Sequence, residues 1–143
     1  MLHFADLKLG HQFLPVEHQA TQEVIDQAAL AHLDFNPVHT NLPWNERAQV
    51  FGMTEPAAHG MFTMSLMTSV IDRAWRHEGA SIVTIEAKLT KPVPVNQTTR
   101  CTGVITELHP LGPGRNAVVV AVTARDGAGD VVGAGTFRVA VPD

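Results

Sequence analysis

The hexapeptide Asp34-Phe35-Asn36-Pro37-Val38-His39 sets a carboxylate and an imidazole five positions apart with a proline between them. Pro37 has no amide proton and disfavours the helical region for Asn36, so a regular helix cannot run through the segment. Both reactive side chains are therefore expected on a bent loop that can turn them toward one point. A carboxylate and an imidazole aimed together can hold one water and move its protons, which is general acid–base chemistry. The amide of Asn36 is placed to orient the pair. About twenty residues on comes His59-Gly60, at the head of a long apolar run. A glycine at a helix start presents a backbone N–H without an intrahelical partner, at the positive end of the helix dipole. Such an N–H can stabilise a developing oxyanion, and glycine permits close approach.

Each of these residues also has a plain structural reading. Asp34 can be a helix C-terminal residue and Asn36-Pro37 a turn, and His59 a helix cap or a core histidine. His32, Asp34, His39 and His59 contain potential metal donors, but no pair has the i, i+4 helical spacing of a zinc protease, and no metal is expected. Cys101 lies in a strand-like segment and reads as a packing residue.

The elements that must position the loop follow from pattern. Thr21 is a good N-cap, and Val24, Ile25, Ala28, Ala29 and Leu33 recur at helical spacing, which predicts a helix from Gln22 to His32 delivering the chain into Asp34. Asn41 can cap a short helix with Pro43 in its first turn and Trp44 packing inward. Gln49 to Ala58, with Gly52 and Pro56, reads as a surface loop. From Gly60 to His77 nearly every face is apolar or small, so this helix is expected to be enclosed by other structure. Before all of these, Gly10 to Ala20 is extended, with Pro15 marking an edge strand or a loop entry.

The second half is rich in Val, Ile and Thr. Four strands are predicted, Ser81–Leu89, Thr98–Leu108, Asn116–Arg125 and Val131–Val141, separated by Pro- and Gly-rich turns. They are expected as an antiparallel meander hiding one face against the apolar helix. The glycines near Gly112 read as a hairpin rather than a phosphate cradle, because no helix follows them.

At 143 residues, with 45% hydrophobic and 17% charged residues, the chain is expected to be one domain over residues 1–143, with no linker or repeat. A formal charge of −4 argues against a nucleic-acid partner, leaving at most a local basic patch from Arg47, Arg73, Lys88 and Lys91. One cysteine permits no intrachain disulfide and fits a reducing compartment. The first ten residues lack the continuous apolar core of a secretory signal, and no segment has the length of a membrane span, so a soluble cytoplasmic protein is expected.

With the pieces in order, the chain resembles the MaoC-like dehydratases, which include the (R)-specific enoyl-CoA hydratases. The resemblance is carried by Asp34 to His39, by Pro56-Ala57-Ala58-His59-Gly60-Met61-Phe62, and by the Lys-Leu-Thr-Lys-Pro-Val-Pro-Val run from Lys88 to Val95. It implies an α+β hot-dog fold, a curved antiparallel sheet around a long central helix, assembled as a homodimer. It also implies a hydro-lyase interconverting trans-2-enoyl and (R)-3-hydroxyacyl thioesters of CoA or acyl-carrier protein, without a cofactor. On that resemblance Asp34 and His39 contact the catalytic water, with Asn36 beside them, and Gly60, His59, Ser65 and Met61 belong to the oxyanion and substrate site. Met61, Met64 and Met67 are then helix core or lining of an acyl pocket. The family commonly has a small residue and a glycine just before the aspartate, where this chain has His32 and Leu33. Leucine takes left-handed backbone angles less cheaply than glycine, so a tilted loop or a narrower pocket mouth is expected. The alternatives are a non-catalytic hot-dog subunit or acyl-binding module, and a hot-dog thioesterase, which the Asp34/His39 pair suits less well than hydration.

Overall fold

The computed structural model describes every residue from Met1 to Asp143. Strand β1 (Val16–Gln19) is followed by helix α1 (Gln22–His32), two short helices α2 (Pro37–Thr40) and α3 (Leu42–Ala48), and the long helix α4 (Gly60–Trp75). Strands β2 (Ser81–Leu89), β3 (Thr98–His109), β4 (Ala117–Arg125) and β5 (Val131–Ala140) complete the chain. All pairings are antiparallel, and the order across the five-stranded sheet is β1-β3-β4-β5-β2. This corrects the expected four-stranded meander. Only β3, β4 and β5 are a meander, while β2 lies at the far edge beside β5. Local turn chemistry could not reveal this, because the connection after Leu89 carries the chain across to β3 rather than folding back as a hairpin. The crossing is stitched at both ends: Ala58 donates to the Val93 carbonyl (2.8 Å), Val95 to the Pro56 carbonyl (2.8 Å) and Asn96 to the Ala20 carbonyl (2.7 Å).

The sheet curls around α4, which buries Thr63, Leu66, Met67, Val70, Ile71 and Trp75, a stripe at i, i+3, i+4, i+7 spacing. The apolar members of this stripe share one core cluster with Cys101, Ile105, Val120 and Phe137, all of them buried. Gly103 of β3 lets the helix come this close, since a Cβ there would lie 3.0 Å from Val70 Cγ1. The other flank of α4, with Met61, Ser65, Arg73 and Ala74, remains exposed. Enclosure of the helix, expected from its all-round apolar sequence, is thus supplied on one side only. Cys101 is fully buried, and burial pushes its thiol up to about 11, consistent with a packing role.

Candidate active site

Three short stretches of chain meet at the head of α4, and each arrives there for a local reason. Helix α1 starts at Thr21, whose hydroxyl accepts from the Val24 N–H (3.2 Å). It ends where Leu33 turns left-handed (φ 55°, ψ 36°), letting the Asp34 N–H reach back to the Ala29 carbonyl (2.9 Å). Leu33 takes the conformation that glycine would take more easily, and the residue is 78% exposed. The turn is kept at a cost, rather than abandoned.

The bend after Asp34 is not wholly irregular. Asn36 has extended backbone angles, as a residue before proline should, and its side-chain oxygen accepts from the Val38 N–H (3.1 Å). Pro37 then opens the one-turn helix α2 on which His39 rides. The amide of Asn36 therefore caps the helix that carries His39, and acts on the pair through the backbone. A lock from α3 holds this turn. Asn41 caps α3 by accepting from Trp44, as its sequence indicated, and buried Asn45 donates to the Pro37 (3.1 Å) and Asn41 (2.7 Å) carbonyls. It is Asn45, rather than half-buried Trp44, that goes inside. Gln22 of α1 adds a donor to the His39 carbonyl (3.0 Å).

His39 Nε2 lies 3.7 Å from Asp34 Oδ2, with the imidazole 12% and the carboxylate 49% exposed. The opposite ring nitrogen, Nδ1, is 2.7 Å from the Ala57 carbonyl. A carbonyl accepts only, so Nδ1 carries the proton and the Nε2 of a neutral ring turns its lone pair toward Asp34. Burial lowers the His39 pKa and outweighs the Ala57 carbonyl, which raises it; nearby His59 lowers it further and Asp34 raises it. The net effect favours the neutral imidazole, which is the basic form.

His59 is 2% exposed and ties these parts together. Its Nε2 donates to the Asp34 carbonyl (3.0 Å), and its ring stacks on that of His39 with centroids 3.9 Å apart. Its Nδ1 is buried without a hydrogen-bond partner. The next residue, Gly60, opens α4, and its N–H has no partner within the protein, whereas Phe62 and Thr63 both donate to the His59 carbonyl. A cleft of about 270 Å³ brings His39 and Gly60 to one space, walled by Thr63, Leu89, Val132 and Phe51. Lys91, which also lines the cleft, is paired with Asp126 and Asp130 (3.0 Å each), and these carboxylates raise its pKa and keep it charged.

Two of the candidate residues stand apart from this cluster. The Ser65 hydroxyl donates to the Met61 carbonyl one turn back (2.7 Å), and Met61 itself faces outward. Conversely, the Ala57 carbonyl, Asn45 and Gln22 escaped the sequence reading. A backbone acceptor leaves no residue signature; for Asn45 the only available clue was its one-turn spacing from Asn41. Potential metal donors from Asp34, His39 and His59 lie within 4.8 Å of one another, and the His32 ring is 6.0 Å from that of His59. Stacked imidazoles present faces to each other, whereas ligation needs lone pairs converging on one point. The arrangement suits proton transfer better than metal binding.

A curled five-stranded antiparallel sheet half-wrapped around one long helix is the hot-dog fold, and comparison identifies the family. The MaoC like domain model matches residues 7–127, and the chain belongs to the MaoC-like dehydratase family. Among solved structures, the (R)-hydratase from A. caviae involved in PHA biosynthesis superposes with a TM-score of 0.84 at 19% identity, over 96% of this chain and 98% of that one. R-hydratase PhaJ1 from Pseudomonas aeruginosa gives 0.86 at 22% identity, over 98% and 85% of the two chains. The HadBC (3R-hydroxyacyl-ACP dehydratase) complex from Mycobacterium tuberculosis gives 0.72 at 19%, over 92% and 95%. At these identities the likeness establishes the hot-dog fold. No curated protein matches the chain by sequence.

Proposed function

We propose that the protein is a hydratase/dehydratase that interconverts trans-2-enoyl and (R)-3-hydroxyacyl thioesters of CoA or acyl-carrier protein, acting as a cytoplasmic homodimer of single-domain chains. The observation that carries this reading is that His39, 3.7 Å from Asp34, lines the same cleft as Gly60, whose N–H has no partner in the protein. In the hydration direction the thioester carbonyl accepts from Gly60, so that charge developing on its oxygen is stabilised at the start of α4. One water lies between Asp34 and His39. Its oxygen attacks the β-carbon while one of its protons passes to His39 Nε2. The π electrons of the double bond move to give an enolate. The imidazolium then returns that proton to the α-carbon, and the enolate collapses to the thioester. Asp34 orients the water and stabilises the imidazolium; Ala57 keeps the proton on Nδ1 throughout. No cofactor enters, and the dehydration reverses each step.

The test is loss of the enoyl-thioester absorbance on mixing purified protein with trans-2-enoyl-CoAs of increasing length, followed by chiral analysis of the product. Formation of (R)-3-hydroxyacyl-CoA is expected. Saturable binding of acyl-CoA with no absorbance change would instead identify a non-catalytic acyl-binding module, and release of free CoA a thioesterase.

A further inference from the structure

Leu89, the last residue of β2, is 43% exposed, yet two glycines in neighbouring elements make room for it. A Cβ on Gly60 would lie 2.6 Å from Leu89 Cδ1, and a Cβ on Gly133 of β5 would lie 3.2 Å from Leu89 Cδ2. The Met67 sulfur approaches the same point of Gly133, also at 3.2 Å, from the core side. Leu89 and Gly133 are register partners in the sheet, so their relative position is fixed by the backbone ladder. One leucine thus spans from the head of α4 to β5, with a fully buried, flexible methionine beyond it. A side chain so exposed adds little to the core. Its place on the wall of the cleft that contains His39 and Gly60 gives it a different consequence. Resting on the thioester-hydratase reading, we propose that Leu89 is the stop that limits acyl-chain length. A carbonyl held at Gly60 directs the acyl tail along the wall that Leu89 forms. Short chains end against its methyl groups; longer ones must displace it toward Gly133 and Met67. Glycine at 133 leaves the stop only slight room to yield, and the unbranched Met67 can adjust behind it.

The experiment compares wild type, Leu89→Ala and Gly133→Ala by two independent readouts. One is kcat/KM for trans-2-enoyl-CoAs from short to medium chain length; the other is calorimetric Kd for the matching saturated acyl-CoAs, which needs no turnover. Leu89→Ala is expected to raise the medium-to-short ratio of kcat/KM by about tenfold, the lower end of what one methylene is worth in an apolar pocket. Gly133→Ala, whose added methyl presses on both Leu89 and Met67, is expected to lower that ratio. The Kd series should shift in the same directions. Ratios that stay within about twofold of wild type in both variants, with wild-type hydration intact, would overturn the stop while sparing the hydratase reading. Absence of hydration in wild type, with Kd ratios still moving as described, would overturn the hydratase reading and leave the stop standing. Unmoved Kd ratios in folded variants would sink the stop in either case.

Discussion

At the residue scale the proposed hydration rests on which atom of His39 holds a proton. Burial is the largest influence on that ring and lowers its pKa below the ordinary 6.5, with Asp34 pulling the other way. Hydration needs neutral Nε2, so kcat/KM should be full above the ordinary imidazole value and fall on an acid limb lying below it. In Asp34→Asn an influence that raises the pKa is gone, and the acid limb should move to still lower pH; a limb that moved up would contradict the assigned geometry. The same shift couples to folding. Below 6.5 an unfolded chain takes up the proton more readily than the folded one, so stability present at neutral pH is lost as pH falls from 6.5 through the lowered folded value. Direct removal of either group is the sharper test. Asp34→Asn and His39→Gln should each lower kcat by roughly 10²–10⁴-fold with melting temperatures near that of wild type. Near-normal turnover in either variant would remove the acid–base mechanism.

At the element scale the least comfortable point is the junction of α1 with the bend that carries Asp34. Leu33 holds φ 55° with its side chain in solvent, so its left-handed conformation is not repaid by burial. A left-handed non-glycine residue costs roughly 1–2 kcal/mol, against about 0.5–1 kcal/mol for the added freedom of glycine in the unfolded chain. Leu33→Gly should therefore stabilise the protein by about 0.5–1 kcal/mol, seen as a rise of about 2–3 °C in thermal midpoint. The Asp34 N–H already makes its bond to Ala29 with leucine in place, so turnover should be retained. A fall in the midpoint would mean that Leu33 makes a contact in the assembled protein.

For the whole molecule, the open flank of α4 and the free edge of β2 are the unfinished surfaces. Strand β2 is nine residues long, pairs only with β5, and exposes Val83 and Ile85. A long apolar edge left unpaired invites association. A second copy joining at this edge is the expected partner, detectable by light scattering as twice the chain mass. Ile85→Lys should weaken that association and yield single chains at micromolar protein. A wild-type mass of one chain would refute the homodimer.

Sequence alone determined much of this protein because its strongest signals are local. Thr21 and the helical spacing after it fixed α1 from Gln22 to His32. Pro37 fixed the bend at Asn36, and β-branched runs between Pro- and Gly-rich turns fixed four strands to within a residue or two at their ends. Asp34 and His39 were legible as a pair because a proline-broken hexapeptide keeps them close whatever the rest of the fold does. Tertiary structure alone decided what depends on contacts distant in sequence. It placed β2 beside β5 rather than β3, since a strand's own residues do not encode which edge it joins. It set the His39 tautomer through the Ala57 carbonyl, 18 residues away, and laid His59 on the His39 ring. Ser65, by contrast, turns back onto its own helix for a local reason, since the carbonyl one turn before it is an acceptor within reach of a helical serine.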